Sequence, residues 1–209
     1  MDIIKEIYDA VMDGKVDEAS SRVQQALNAK VEVNEILNKG LIAAMDVVGE
    51  KFGEGELFIP QVLWSAKAMQ GGMDLLKPYL SAADRAEKGT VVIGTAKGDI
   101  HDIGKNLVAI MLEGSGFKIA DLGTDVTPDR FVEKAVEVKA DVIAMSALLT
   151  TTMQSMGEVV SLVKAKKLPF KVIIGGAPVD QAFCREIGAD AYGMDAADGL
   201  KKVKGLLGN

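Results

Sequence analysis

The sequence predicts an α/β protein in two parts, an N-terminal four-helix bundle over residues 1–88 and a doubly wound parallel sheet over residues 89–209. Three observations carry that prediction. Apolar residues recur at helical spacing as far as Leu80. Beyond residue 89, short β-rich runs alternate with helical stretches, the pattern of a parallel sheet with right-handed crossovers. Between the two lies a short polar run, SAADRAEKG at 81–89, which reads as a linker and the expected hinge.

The bundle follows from four apolar stripes. Ile3, Ile4, Ile7 and Val11 form the first, ended by the turn signal Asp13-Gly14. Val16, Ala19, Val23, Ala26 and Leu27 form the second; Leu37, Leu41, Ala44, Val48 and Phe52 form the third. The fourth starts beside Pro60, which suits a helix's first turn, and runs through Val62, Leu63, Ala66, Met69, Met73 and Leu76 to Pro78. Short loops between such helices make them antiparallel neighbours.

The strands are expected at 90–96, 117–123, 141–147, 171–176 and, more weakly, 191–194. Helical spacing links them through Ile103–Met111, Phe131–Val136, Met153–Val163 and Val179–Ile187. The result is a Rossmann-like or flavodoxin-like sheet, in which ligands bind at the carboxyl ends of the strands. GDIHDIGKN (98–106), SALLTTT (146–152) and GGAP (175–178) all fall there. They share one crest.

Composition narrows the function. A net charge of −6 without a basic block argues against nucleic acid as a partner, because phosphate must be neutralised by Lys and Arg. The single cysteine, Cys184, excludes an intrachain disulfide and a Cys-built zinc cage. MDIIKEIYDA is too charged for a signal peptide, and no run approaches the roughly 20 apolar residues that span a bilayer. The expected setting is cytoplasmic, away from membranes.

His101 is the only histidine. On its own stretch two readings stand. It is an ordinary loop residue with Asp102 capping the next helix. Or Asp99 accepts from one imidazole nitrogen, fixing the tautomer and leaving the other nitrogen to a metal. One histidine cannot build a zinc site, although Asp-x-His with distant acids can bind a hard cation weakly. A metal already held equatorially by a macrocycle needs only one axial nitrogen. A haem calls for an aromatic pocket, and aromatic residues are 5% here, which leaves a corrin.

Asp99-Ile100-His101-Asp102-Ile103-Gly104 resembles the Asp-x-His-x-x-Gly signature of cobalamin-binding domains. That family continues with Ser-x-Leu and then Gly-Gly, matched here by Ser146-Ala147-Leu148 and Gly175-Gly176. The resemblance implies a corrinoid bound with its own base displaced and His101 on cobalt. It also implies a cofactor site of Gly98, Asp99, His101, Asp102, Ile103, Gly104, Ser146, Leu148, Thr150, Thr152, Gly175 and Gly176. Small residues suit the slot for the displaced nucleotide tail, with Ser146 bonding the buried base and Leu148 packing on it. Thr152 would complete an Asp–His–hydroxyl relay where many relatives carry serine. At least one of Thr150, Thr151 and Thr152 is also expected to cap the following helix.

The bundle sharpens the resemblance toward the cobalamin-binding region of methionine synthase and the free-standing corrinoid proteins of methyltransferase systems. FGEGELFIPQVLWSAKAM (52–69) is similar to the cap over the corrin, with Phe58, Val62, Leu63 and Met69 as candidate lids; for Val62 and Met69 bundle core is the better reading. The implied function is a methyl shuttle cycling between cobalt(I) and methyl-cobalt(III). A substrate-specific methyltransferase loads it, and an acceptor methyltransferase unloads it onto a pterin or thiol. A reductive activation protein restores cobalt(I). His101 would bind and release in that cycle, linking coordination to proton uptake. Methanol, a methylamine, glycine betaine and an aryl methyl ether stay open as donors. The rivals are the cobalamin subunit of a radical mutase, a cobalamin-dependent regulator, and a flavodoxin-like flavin or phosphoryl receiver.

Overall fold

A computed structural model describes residues 2–79 and 88–208. The expected hinge therefore falls mostly, at 81–87, outside the described residues. The chain divides into two compact units, residues 1–86 with 114–116, and residues 87–113 with 117–209.

In the helical unit, α1 (Ile3–Met12) starts on Asp2, whose carboxylate accepts from the Ile4 N–H, and ends at Asp13-Gly14 as expected. α2 spans Val16–Asn28. The third helix differs from its expectation. α3 (Val33–Glu35) begins earlier, widens into a π-helical segment (Ile36–Ile42), and continues as α4 (Ala43–Gly53). The widened turns bury Ile36, Leu37, Leu41 and Ile42 together. Gly40 brings this stretch against α1: a Cβ there would lie 3.0 Å from Ile7 Cγ2. α5 (Ile59–Leu76) carries Pro60 in its first turn, and Gln61 Oε1 accepts from the Phe58 N–H at 2.9 Å. A short 3₁₀ turn over Lys77–Tyr79 holds Pro78.

The second unit is a five-stranded, wholly parallel sheet. Its elements are β1 (Thr90–Thr95), α6 (Ile103–Gly114), β2 (Lys118–Asp121), α7 (Pro128–Val138), β3 (Val142–Ser146), α8 (Gln154–Ala165), β4 (Lys171–Gly175), α9 (Gln181–Ile187), β5 (Ala191–Gly193) and α10 (Ala196–Leu207). Strand order is β2-β1-β3-β4-β5. Val92, Ile143, Met145, Val172 and Ile174 point to one face, where Phe131, Val132, Met156, Val160 and Cys184 from α7, α8 and α9 bury them. The alternate residues, Val91, Ile93, Val142, Ala144 and Ile173, are buried on the other. All five expected strands are present. α10 was not expected: Gly199 and Gly205 interrupt its apolar spacing, while Asp195 caps it by accepting from the Asp198 N–H.

The strand order reverses between β1 and β3, so their carboxyl ends open a crevice. Thr95, Ser146 and Gly175 stand in register at that edge. The loops leaving these three strands carry the motif residues.

Candidate functional site

Asp99 organises the crest. Its side chain is fully buried, and both oxygens are saturated with donors. Oδ1 accepts from the His101 N–H at 3.0 Å and from His101 Nδ1 at 2.7 Å. Oδ2 accepts from the Leu148 N–H at 2.7 Å, the Leu149 N–H at 3.3 Å and the Thr152 hydroxyl at 3.0 Å. Burial alone would raise the carboxyl pKa. The Leu148 and His101 N–H groups, the imidazole and the Thr152 hydroxyl outweigh it and hold the pKa well below the usual carboxylate range. The residue is therefore an anion at neutral pH.

An ionised carboxylate only accepts, so Nδ1 carries a proton, and in the neutral ring that leaves the lone pair on Nε2. The imidazole is 49% exposed. One oriented imidazole nitrogen at the sheet's carboxyl edge can hold a metal whose other positions are filled. Among the described residues, no three His, Cys, Asp or Glu side chains gather into a metal site of their own.

The remaining motif residues lie at the carboxyl ends of β1, β3 and β4, on the loops that follow them and at the start of α6. Gly98 precedes Asp99 with a φ of +83°, a left-handed turn that a side chain would strain. Asp102 stands just before α6: its carbonyl accepts from the Asn106 N–H and its carboxylate from Asn106 Nδ2. Ile103 and Ile100 are 77% and 76% exposed. A Cβ on Gly104 would meet nothing within 4 Å, so the space beside the start of α6 is open. Leu148 and Leu149 add exposed apolar surface after β3, and Met194 after β5. Gly175 and Gly176 lie close against backbone: a Cβ on Gly175 would sit 3.0 Å from the Gly193 carbonyl oxygen.

The threonines depart from one expectation. None of them caps α8; the cap position is Met153, without a side-chain hydrogen bond. The chain turns first, with the Thr152 N–H on the Leu149 carbonyl, and the Thr152 hydroxyl is drawn to Asp99 and to that same carbonyl. Thr150 lines a shallow groove with Lys97, Gln154 and Phe183. In the helical unit Val62 and Met69 are core, whereas Phe58 is 69% exposed and Leu63 is partly so. The exposed apolar residues Ile100, Leu149 and Met194 were not singled out in the sequence, where each is one apolar residue in a loop. Nor were Thr95 and Asp125, which bond to the motif's backbone.

Residues 89–201 match the B12 binding domain, and residues 3–77 match a second B12 binding domain family. The chain belongs to the B12-binding family. Its cofactor is a cobalamin, and the site fits one: a single imidazole donor, an exposed apolar crest and open space beside Gly104. Relatives span this B12-binding chain almost end to end. A trimethylamine corrinoid protein of Methanosarcina acetivorans is 45% identical over 99% of this chain and 97% of its own. A dimethylamine corrinoid protein of the same organism is 42% identical over 99% and 96%. Among solved structures, the methanol:cobalamin methyltransferase complex MtaBC of Methanosarcina barkeri superposes with a TM-score of 0.90 at 32% identity, covering 99% of this chain and 80% of that one. A cobalamin-binding protein of Desulfitobacterium hafniense gives 0.80 at 35%, covering 98% of each. The resemblance to corrinoid proteins of methyltransferase systems therefore stands. No helix among the described residues is long and apolar enough to cross a membrane.

Proposed function

We propose that this protein is a methyl carrier. It accepts a methyl group from a substrate-specific methyltransferase and yields it to a second methyltransferase acting on a pterin or thiol, with a reductive activation protein keeping it competent. The bound corrinoid supplies a cobalt centre that can take up a methyl group and give it up. The chain supplies the rest. His101 would hold the cobalt through Nε2, with Asp99 fixing its tautomer through Nδ1. Gly104, Ser146, Leu148 and Gly175 would line the slot for the displaced nucleotide tail, Gly176 would hold β3 and β4 close enough to form it, and Gly98, Asp102 and Ile103 would form its mouth. Thr152 steadies Asp99 from beneath, and Thr150 borders the crest. On the helical unit, Phe58 and Leu63 keep their apolar side chains exposed as the candidate lid residues.

One observation carries this reading: the only histidine is locked by a buried carboxylate at the carboxyl edge of the sheet, in a chain whose full-length relatives bear the names of methylamine corrinoid proteins. Two measurements test it. Cobalt(II) in the reconstituted protein should show nitrogen hyperfine splitting that survives removal of the cofactor's own base and disappears in His101→Ala. The same spectrum from both proteins refutes the ligand assignment. For the carrier role, reduced holoprotein is mixed with methylamine or methanol methyltransferases and isotopically labelled substrate. Label should stay with the protein until a second methyltransferase and a thiol are added. No labelling with any of these donors refutes carriage in methylamine and methanol systems.

A further inference from the structure

The motif explains what meets the imidazole of His101, but not what fixes the backbone beneath it. Two side chains outside the motif do so. Thr95, the last residue of β1, is fully buried, and its hydroxyl donates to the His101 carbonyl at 2.9 Å. Asp125, in the loop between β2 and α7, grips the other flank twice. Its N–H donates to the Asp99 carbonyl at 2.9 Å, and its carboxylate accepts from the Gly98 N–H at 2.7 Å. This grip requires a left-handed backbone at Asp125, with φ +54°. Any side chain is disfavoured there, Asp and Asn least, so the conformation is held by the surrounding contacts.

The loop that presents Asp125 is itself tied down. The Thr95 N–H donates to the Gly123 carbonyl and the Val126 N–H to the Thr95 carbonyl, at 2.9 and 3.0 Å. Asp121 accepts from the Gly123 N–H through Oδ1 and, through Oδ2, from the buried ammonium of Lys105 on α6. The ring closes: β1, the His101 loop, α6, Lys105, Asp121, the β2–α7 loop, and β1 again. An axial ligand has a narrow range of productive positions, and a loop free to drift would spend most of its time outside it.

We propose that Thr95 and Asp125 are positioning residues that preset the 98–101 backbone, so that His101 stands at its coordinating reach before the cofactor arrives. This rests on His101 being the cobalt ligand. The variants separate chemistry from shape. Thr95→Val keeps the side chain's outline in the strand and removes the donor to His101; Thr95→Ser keeps the donor. Asp125→Gly keeps the left-handed turn and removes the acceptor; Asp125→Asn keeps both.

Each protein is loaded with cobalamin and reduced to cobalt(II), and paramagnetic resonance gives the ratio of histidine-ligated to unligated cobalt. Melting of the cofactor-free protein is followed in parallel. Thr95→Val and Asp125→Gly should lower the ratio about tenfold, the small end of what outer-shell partners of a metal ligand contribute. Thr95→Ser and Asp125→Asn should keep it near that of the unsubstituted protein. An unchanged ratio in Thr95→Val and Asp125→Gly overturns the proposal, as does an equal fall in all four variants. If Thr95→Val does not fold, the Asp125 pair decides on the same terms. Absence of histidine splitting in the unsubstituted protein overturns the ligand assignment itself, before any variant is compared.

Discussion

Every partner of the Asp99 carboxylate is a donor, and this makes the residue intolerant of its closest isostere. Asparagine keeps the shape but must turn an amino group toward either the His101 pair or the Leu148, Leu149 and Thr152 set. Either choice sets donor against donor in a buried place. Asp99→Asn should therefore cost about 2 kcal/mol, within the range for hydrogen bonds to charged groups. Thr152→Val removes one of three donors on Oδ2 and should cost about 1 kcal/mol. Denaturant titration of the cofactor-free proteins measures both, and equal losses would contradict this ordering. At this scale the sequence was legible where partners are close in the chain, as with Asp99 and His101. Thr95 and Asp125 were not. A threonine in a strand is commonplace, and an aspartate whose grip depends on a left-handed φ shows nothing of it in one dimension.

The elements that bury both faces were readable, because runs such as TVVIGT and KVIIG leave little but a central parallel strand. The π-helical stretch was not, since seven residues are too few to tell its wider period from an α-helix by apolar spacing. Nor was α10, with two glycines in its body. Glycine also separates two jobs that look alike in the sequence. At Gly176, φ is +119° and a Cβ would lie 1.9 Å from the Ala147 carbonyl oxygen, where β3 and β4 are spliced by the Ala147 N–H on the Gly175 carbonyl. Gly176→Ala should cost roughly 3 kcal/mol or more, because neither backbone can yield without opening the sheet. At Gly104 a Cβ meets nothing, and the residue sits in the first turn of α6. Gly104→Ala should stabilise the cofactor-free protein by up to about 0.5 kcal/mol while weakening cobalamin binding, since the methyl would enter the proposed slot. Thermal melts with cobalamin titrations distinguish the two. Parallel behaviour of both variants would mean that Gly104 is structural as well.

At the scale of the molecule, the only cysteine reports on the sheet unit. Cys184 lies in α9, buried in the core, with its thiol near the Ala189 carbonyl at 3.6 Å. Burial, with Asp190 adding to it, pushes the thiol's pKa up in the folded protein. The folded state therefore keeps its proton at a pH where the unfolded chain, with an ordinary value of about 8.5, has begun to lose it. That contribution to stability is complete below about pH 8.5 and falls away as the pH rises beyond it. Melting temperatures should decline between pH 8 and pH 10, and Cys184→Ala should lack that part of the decline. The same thiol measures the cofactor's grip. At neutral pH a thiol reagent reaches Cys184 only when the sheet unit opens, and cobalamin binds only the closed unit. At a free concentration about 100 times its Kd, cobalamin should raise the opening free energy by about 2.7 kcal/mol and slow labelling about a hundredfold. A labelling rate indifferent to cobalamin would show that α9 opens while the crest stays intact, and that the sheet and the cofactor site are not one cooperative unit.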